Sequence, residues 1–65
     1  MTPSALRTLR SFPCAFHGTP PPRVHAAILA GHVEIDEHQT DCYPERGTTY
    51  RITVKGRLAL WVALS

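Results

Sequence analysis

The pattern of apolar and polar side chains changes its period near the end of this chain. Residues 49–53 alternate between polar and apolar side chains, which is typical of a half-buried strand. From Val54 onward the apolar side chains recur at helical spacing, and Thr53 stands where an N-cap residue belongs. We therefore predict a strand over residues 49–53 that runs directly into a helix over residues 54–64.

A second set of helix signals opens the chain. Thr2 suits the N-cap position, and Pro3 suits the first helical position because its missing N–H has no partner there in any helix. Pro13 disfavours helical backbone in the residue before it. We predict a helix over residues 3–12. The apolar side chains of that helix share one face: Ala5, Leu6, Leu9 and Phe12.

The middle of the chain divides into loops and short regular segments. Residues 13–21 are rich in proline and glycine, so we predict a stiff loop. Residues 22–30 favour a helix ending at Gly31, a residue type that readily adopts left-handed backbone. Residues 32–36 alternate like a strand. The polar residues 37–48 are predicted to form the long loop of a hairpin.

Together these elements predict one small α+β domain over residues 1–65. A chain of 65 residues lies near the lower limit at which a single hydrophobic core offsets chain entropy, so a partner could contribute to its stability. No run approaches the roughly 18 apolar residues that a membrane-spanning helix needs. We expect no membrane partner, a cytoplasmic location and reduced cysteines.

The net charge of +2 is unevenly distributed. Residues 1–33 contain Arg7, Arg10 and Arg23 and no acid, a local charge of +3. Residues 34–65 contain five acids and four bases, a local charge of −1. A basic first half indicates a surface for a polyanion, although three arginines are fewer than a dedicated nucleic-acid-binding domain usually has.

Two stretches resemble a known family. Residues 50–60, Y-R-I-T-V-K-G-R-L-A-L, resemble the segment that closes many small bacterial winged helix-turn-helix proteins, where a wing strand leads through a capping threonine into a helix. Residues 25–35, H-A-A-I-L-A-G-H-V-E-I, resemble the junction between recognition helix and wing, with His32 where leucine is customary. The resemblance covers about residues 23–60 and implies a minimal winged-helix-like domain that has one helix fewer than usual.

If the chain functions as this resemblance implies, it is a small regulator that binds double-stranded DNA. The helix beginning at Pro22 would enter the major groove with Arg23 and His25 near phosphates or base edges, and Arg46 in the wing would reach a neighbouring phosphate. The apolar C-terminal helix could pair two copies. The alternative is an interaction module of the same fold, such as a phage- or mobile-element-encoded inhibitor that binds a host protein.

Cysteines and histidines suggest a second kind of site. Cys14-x-x-His17 and His38-x-x-x-Cys42 have the spacing of zinc-ligand pairs. Such pairs also arise by chance, in which case a buried Cys14 and an exposed Cys42 are expected. No pattern in the chain brings a base to a nucleophile, and so short a chain has little room to enclose a substrate. We therefore expect neither an enzyme nor a cofactor.

Overall fold

A three-stranded antiparallel sheet organises the fold. The computed structural model describes residues 2–65. The strands are β1 (Cys14–Phe16), β2 (Val33–Ile35) and β3 (Thr48–Ile52), in the spatial order β1-β3-β2. In this register Tyr50 of β3 lies between Cys14 of β1 and Ile35 of β2. The longest strand is therefore central and pairs with two short edge strands.

Four α-helices surround the sheet. They are α1 (Pro3–Arg10), α2 (Pro22–Leu29), α3 (Glu37–Cys42) and α4 (Val54–Leu64), and a 3-10 turn at Pro44–Arg46 follows α3. The element order is α1-β1-α2-β2-α3-β3-α4. The predicted α+β class is confirmed. No helix within residues 2–65 is long and apolar enough to cross a membrane.

The first two helices begin and end where local chemistry requires. The amide of Ala5 donates to Thr2 Oγ1 at 3.1 Å, which caps α1. Helix α2 ends at Leu29 with Ala30 as its C-cap, and Gly31 follows with a φ of +77°, which suits a residue without a side chain. The Gly31 amide donates to the Ile28 carbonyl, and the His32 amide to the Ala27 carbonyl, both at 2.9 Å. This pair of hydrogen bonds is a Schellman motif, and it turns the chain from α2 into β2.

Two loops of the predicted fold contain regular structure. Residues 14–16, predicted as part of a loop over residues 13–21, form β1. A strand of three residues is too short to show a period-2 pattern, and its hydrogen bonds come from β3, more than thirty residues away along the chain. The spacing of neighbouring residues therefore does not indicate strand β1.

The segment over residues 37–48, predicted to be the wing loop, also contains regular structure. It contains α3 and the 3-10 turn, because Asp36 caps α3 by accepting from the Gln39 amide at 3.1 Å. The amide of Thr49 donates to Thr40 Oγ1 at 3.0 Å, which holds α3 against β3. Helix α3 has six residues and none of them is buried, so it lacks the apolar stripe by which a longer helix is recognised.

The hydrophobic core is small. Its buried members come from α1, α2, β2 and β3: Leu9, Val24, Val33 and Tyr50. Partly buried side chains, including Phe16 and Ile52, pack around them. The rings of Phe16 and Tyr50 are tilted at 54° with centroids 6.1 Å apart, a favourable aromatic arrangement. With so few buried side chains, the polar contacts that join the elements matter correspondingly more.

The most extensive of these contacts joins β3 and α4 to the end of α2. Thr53 Oγ1 accepts from the Gly56 amide at 2.9 Å, which caps α4, and donates to the Gly31 carbonyl at 2.6 Å. The Thr53 amide donates to the His32 carbonyl at 2.9 Å. A Cβ at Gly56 would collide with that same carbonyl, so only glycine allows so close an approach. We call this set of contacts the Thr53 junction.

The Thr53 junction leads to a stability prediction. Thr53→Ala should lower the free energy of unfolding by about 2 kcal/mol, because it removes an N-cap and a hydrogen bond to a carbonyl at a packed turn. Thr53→Ser keeps the hydroxyl and should recover most of that loss. Urea denaturation followed by circular dichroism measures both. Thr2→Ala, which removes only the exposed cap of α1, should cost about 0.5–1 kcal/mol. An equal loss for the two alanine variants would contradict a special role for the junction.

Candidate functional site

Three arginines lie side by side on α1 and at the start of α2. Arg7 and Arg23 line one hollow of about 350 Å³, together with the side chains of Ser4, Thr8 and Ser11. Arg7 and Arg10 line a second, adjacent hollow of about 500 Å³. All three arginines are exposed. We call Arg7, Arg10 and Arg23 the basic face.

Two of the three hydroxyl groups beside the basic face, those of Thr8 and Ser11, already donate to carbonyls of α1. Thr8 Oγ1 donates to the Ser4 carbonyl at 3.0 Å, and Ser11 Oγ donates to the Thr8 carbonyl at 2.6 Å. Their hydrogens are therefore not directed at a ligand. Recognition of an anion here would depend on the guanidinium groups of the basic face, which offer several donors in a fixed plane.

The basic face contrasts with an acidic segment. All five carboxylate side chains of the chain lie between residues 34 and 45: on β2, at the N-cap of α3, on α3 and in the 3-10 turn. The only ion pair in residues 2–65 joins Arg51 Nε to Glu34 Oε1 at 2.9 Å across β3 and β2. The hydrogen bond and charge of Glu34, with smaller effects of Asp36 and Glu37, raise the pKa of Arg51. Within the described chain, the basic face has no such carboxylate partner.

The outward side of α2 has few side chains that could form hydrogen bonds with DNA bases. His25 is exposed, as the resemblance requires, but its neighbours on the outside of the helix are Ala26 and Leu29. Leu29 is 75% exposed. Arg23 lies at the edge of α2 that faces α1. Direct readout of bases needs several hydrogen-bonding side chains on one helix face, and here His25 stands nearly alone.

Arg46 belongs to a different part of the surface. It ends the 3-10 turn, and its guanidinium carbon lies 4.4 Å from the centre of the Tyr43 ring, a cation–π contact. Arg46 lines neither hollow of the basic face. Its neighbours along the chain include Asp41 and Glu45. Arg23 therefore lies beside the arginines of α1, whereas Arg46 lies in the acidic segment.

An apolar groove lies between α1, α2 and α4. Its volume is about 630 Å³, and Arg23 and His32 are its main polar residues. Half of the lining residues are alanines: Ala5, Ala26, Ala27, Ala30, Ala59 and Ala63. The pattern of α2 alone indicates a helix with small side chains, but not the groove. The groove depends on how α4 is placed beside α2, which the Thr53 junction determines.

The four potential zinc ligands do not form one site. His38 and Cys42 are one turn apart on α3, with Cys42 Sγ 3.7 Å from His38 Nε2. Cys14 is half-buried on β1, and His17 follows that strand. Nowhere in the described residues do three histidine, cysteine or acidic side chains gather closely enough to hold a metal ion. The zinc spacing in the sequence is thus not matched by a shared position in space.

No protein-family model, no curated protein and no solved structure matches this chain.

The two thiols differ in a way that can be measured. Burial raises the pKa of the Cys14 thiol, and the Ser11 side chain and the charge of Arg23 oppose this effect without cancelling it. Because the thiolate is the reactive form, iodoacetamide at mildly alkaline pH should modify the exposed Cys42 well before Cys14. Peptide mass spectrometry over a time course follows both. In urea the two rates should converge, and faster labelling of Cys14 in the folded protein would contradict its burial.

Proposed function

We propose that this protein is a small, winged-helix-like DNA-binding regulator that acts in the cytoplasm and contacts the DNA backbone through its basic face. The observation that carries the proposal is the basic face itself: Arg7, Arg10 and Arg23 lie together, exposed and without a carboxylate partner within residues 2–65. Such a cluster attracts a polyanion. The route from α2 through Gly31 into the β2–β3 hairpin, and from Thr53 into α4, supports the winged-helix resemblance.

The expected mode of binding is mainly electrostatic. Three phosphate contacts give a slope of about −2.7 in a plot of log affinity against log salt concentration. His25 on the outer side of α2 is positioned to add a contact with a phosphate or a base edge. With one such side chain, sequence discrimination by a single copy would be small. The proposal is thus a backbone-binding domain whose specificity would need further contacts.

Arg46 has a smaller role in this proposal than the sequence suggested. The segment from residue 34 to residue 46 has five carboxylates and one arginine, a local charge of −4. Phosphates are repelled by such a segment, and Arg46 is already stacked on Tyr43. We therefore place the DNA on the α1–α2 side of the molecule and the hairpin away from it.

A second candidate function is supported by a separate observation. The apolar groove between α1, α2 and α4 and the exposed apolar side chains of α4 are typical of a surface that binds protein. An interaction module of the same fold, for example an inhibitor of a host protein, would use this groove instead of the basic face. The two functions therefore use two different surfaces of one small domain, which share Arg23 at their boundary.

Binding to a random-sequence duplex separates the two functions. Fluorescence anisotropy at about 50 mM and about 200 mM salt should show a loss of affinity of roughly 40-fold for the unmodified protein. Arg7→Ala and Arg23→Ala should each weaken binding at low salt and make the slope shallower by about 0.9. Arg46→Ala removes the same charge from the acidic segment and is the matched control.

Three results would count against DNA binding through the basic face. The first is the absence of salt-sensitive binding by the unmodified protein. The second is an equal loss of affinity for Arg46→Ala and Arg23→Ala. That result would mean either that the hairpin also contacts DNA or that binding depends only on net charge. The third is full affinity in both Arg7→Ala and Arg23→Ala. Circular dichroism of each variant checks that the fold is retained.

A further inference from the structure

We infer that the apolar groove is closed by helix α4 of a second copy of this chain, so that two copies form a twofold-symmetric dimer. This dimer would form through the groove and α4, not through the basic face, and would not require DNA.

Helix α4 is apolar on all of its sides from Leu58 to Leu64. Val54, Leu58 and Val62 are exposed on it, and Trp61 is 71% exposed. Leu60, in contrast, packs against the core of its own chain. A helix that is apolar all round is normally buried all round, whereas a surface helix has a polar outer face. The outer side of α4 therefore has the composition of an interface.

The second half of α4 contains no charge. Its only charged residues are Lys55 and Arg57 in the first turns, and residues 58–65 have none. Burying this half against another protein surface therefore removes no ion from water, which is the main cost of burying polar helices. The groove has no acidic residue, and its one charged residue, Arg23, lies where it also meets the basic face. Apart from Arg23 and His32 the lining is almost entirely apolar, which matches the uncharged second half of α4.

The molecule has more surface than a compact monomer of its mass. Its accessible surface is 4605 Å² for 7.2 kDa, whereas the usual relation for monomers gives about 4100 Å². Its radius of gyration is 11.7 Å, compared with about 10.7 Å for a compact chain of this length. The excess surface agrees with an elongated molecule of 36 × 20 × 17 Å. A single copy is therefore more open than its size requires.

The exposed apolar area matches what a stable dimer buries. The exposed parts of Val54, Leu58, Trp61, Val62 and Leu64 amount to about 600 Å², and a standard interface buries about 800 Å² on each partner. The exposed Leu29 and the groove alanines are available for the remainder. Alanines also let a second helix approach closely. One copy thus supplies the area that one side of an interface needs.

The same surface can serve both partners. Helix α4 forms one wall of its own groove through Leu58, Ala59 and Val62, and its outer side is the element that would enter the groove of the other copy. A twofold dimer requires this kind of self-complementary patch, in which each copy both gives and receives the same element. Each copy therefore contains both the groove and the helix that would occupy the groove of the other copy.

Sedimentation equilibrium without DNA tests the inference. From low to high micromolar concentration, the mass should rise from that of one 7.2 kDa chain to that of two. The single tryptophan provides a second measurement, since the emission of Trp61 should shift to shorter wavelength as its exposed ring is buried. A mass that stays at one chain at the highest concentration would overturn the inference and would leave the groove for a different protein.

Three variants locate the contact. Trp61→Glu places a charge on the exposed side of α4 and should keep the protein monomeric at all concentrations, whereas Arg57→Glu, on the charged first half of α4, is the matched control and should still dimerise. Ala26→Trp narrows the groove from α2 and should weaken the dimer by at least tenfold. An unchanged dimerisation affinity in Ala26→Trp would mean that the groove is not part of the contact. An unchanged affinity in Trp61→Glu would exclude α4 from it. Circular dichroism confirms that each variant is folded.

Discussion

The Thr53 junction is the constraint on which the rest of this structure depends. The hydroxyl of Thr53 caps α4 and donates to the Gly31 carbonyl just after α2, and the Thr53 amide donates to the His32 carbonyl. Gly56 is needed because its missing side chain lets α4 lie directly on that carbonyl. In a domain with so few buried side chains, this set of contacts determines where α4 lies relative to α2. The apolar groove is a direct consequence of that placement.

The two candidate surfaces arise from different physical causes. The basic face results from charge composition, because α1 and α2 contain arginines and no acids, while the segment from β2 to the 3-10 turn contains every acidic side chain. The apolar groove results from packing, because small side chains on α1, α2 and α4 leave space between the helices. Arg23 lies at the boundary of the two surfaces. A ligand on one surface would therefore be close to a ligand on the other.

Several residues show how far reasoning from the sequence extends. The caps at Thr2 and Thr53, and the left-handed Gly31, were predictable because each depends on residues within four positions along the chain. Strand β1 was not, because its only partner is β3. Helix α3 was missed although Asp36 is a capping residue, since the helix buries no side chain and so has no apolar period. The zinc spacing did not identify a metal site, because no three histidine, cysteine or acidic side chains gather within residues 2–65.

The sequence by itself determined the α+β class, the caps of α1 and α4, the left-handed glycine after α2 and the separation of charge between the two halves of the chain. These properties depend on neighbouring residues or on composition. Only the tertiary structure decided that Arg23 lies beside Arg7, that Arg46 stacks on Tyr43 within an acidic segment, and that α4 leaves an apolar groove beside α2. Each of these depends on the relative placement of separate elements, which comes from strand pairing and from the Thr53 junction, and local spacing does not contain that information.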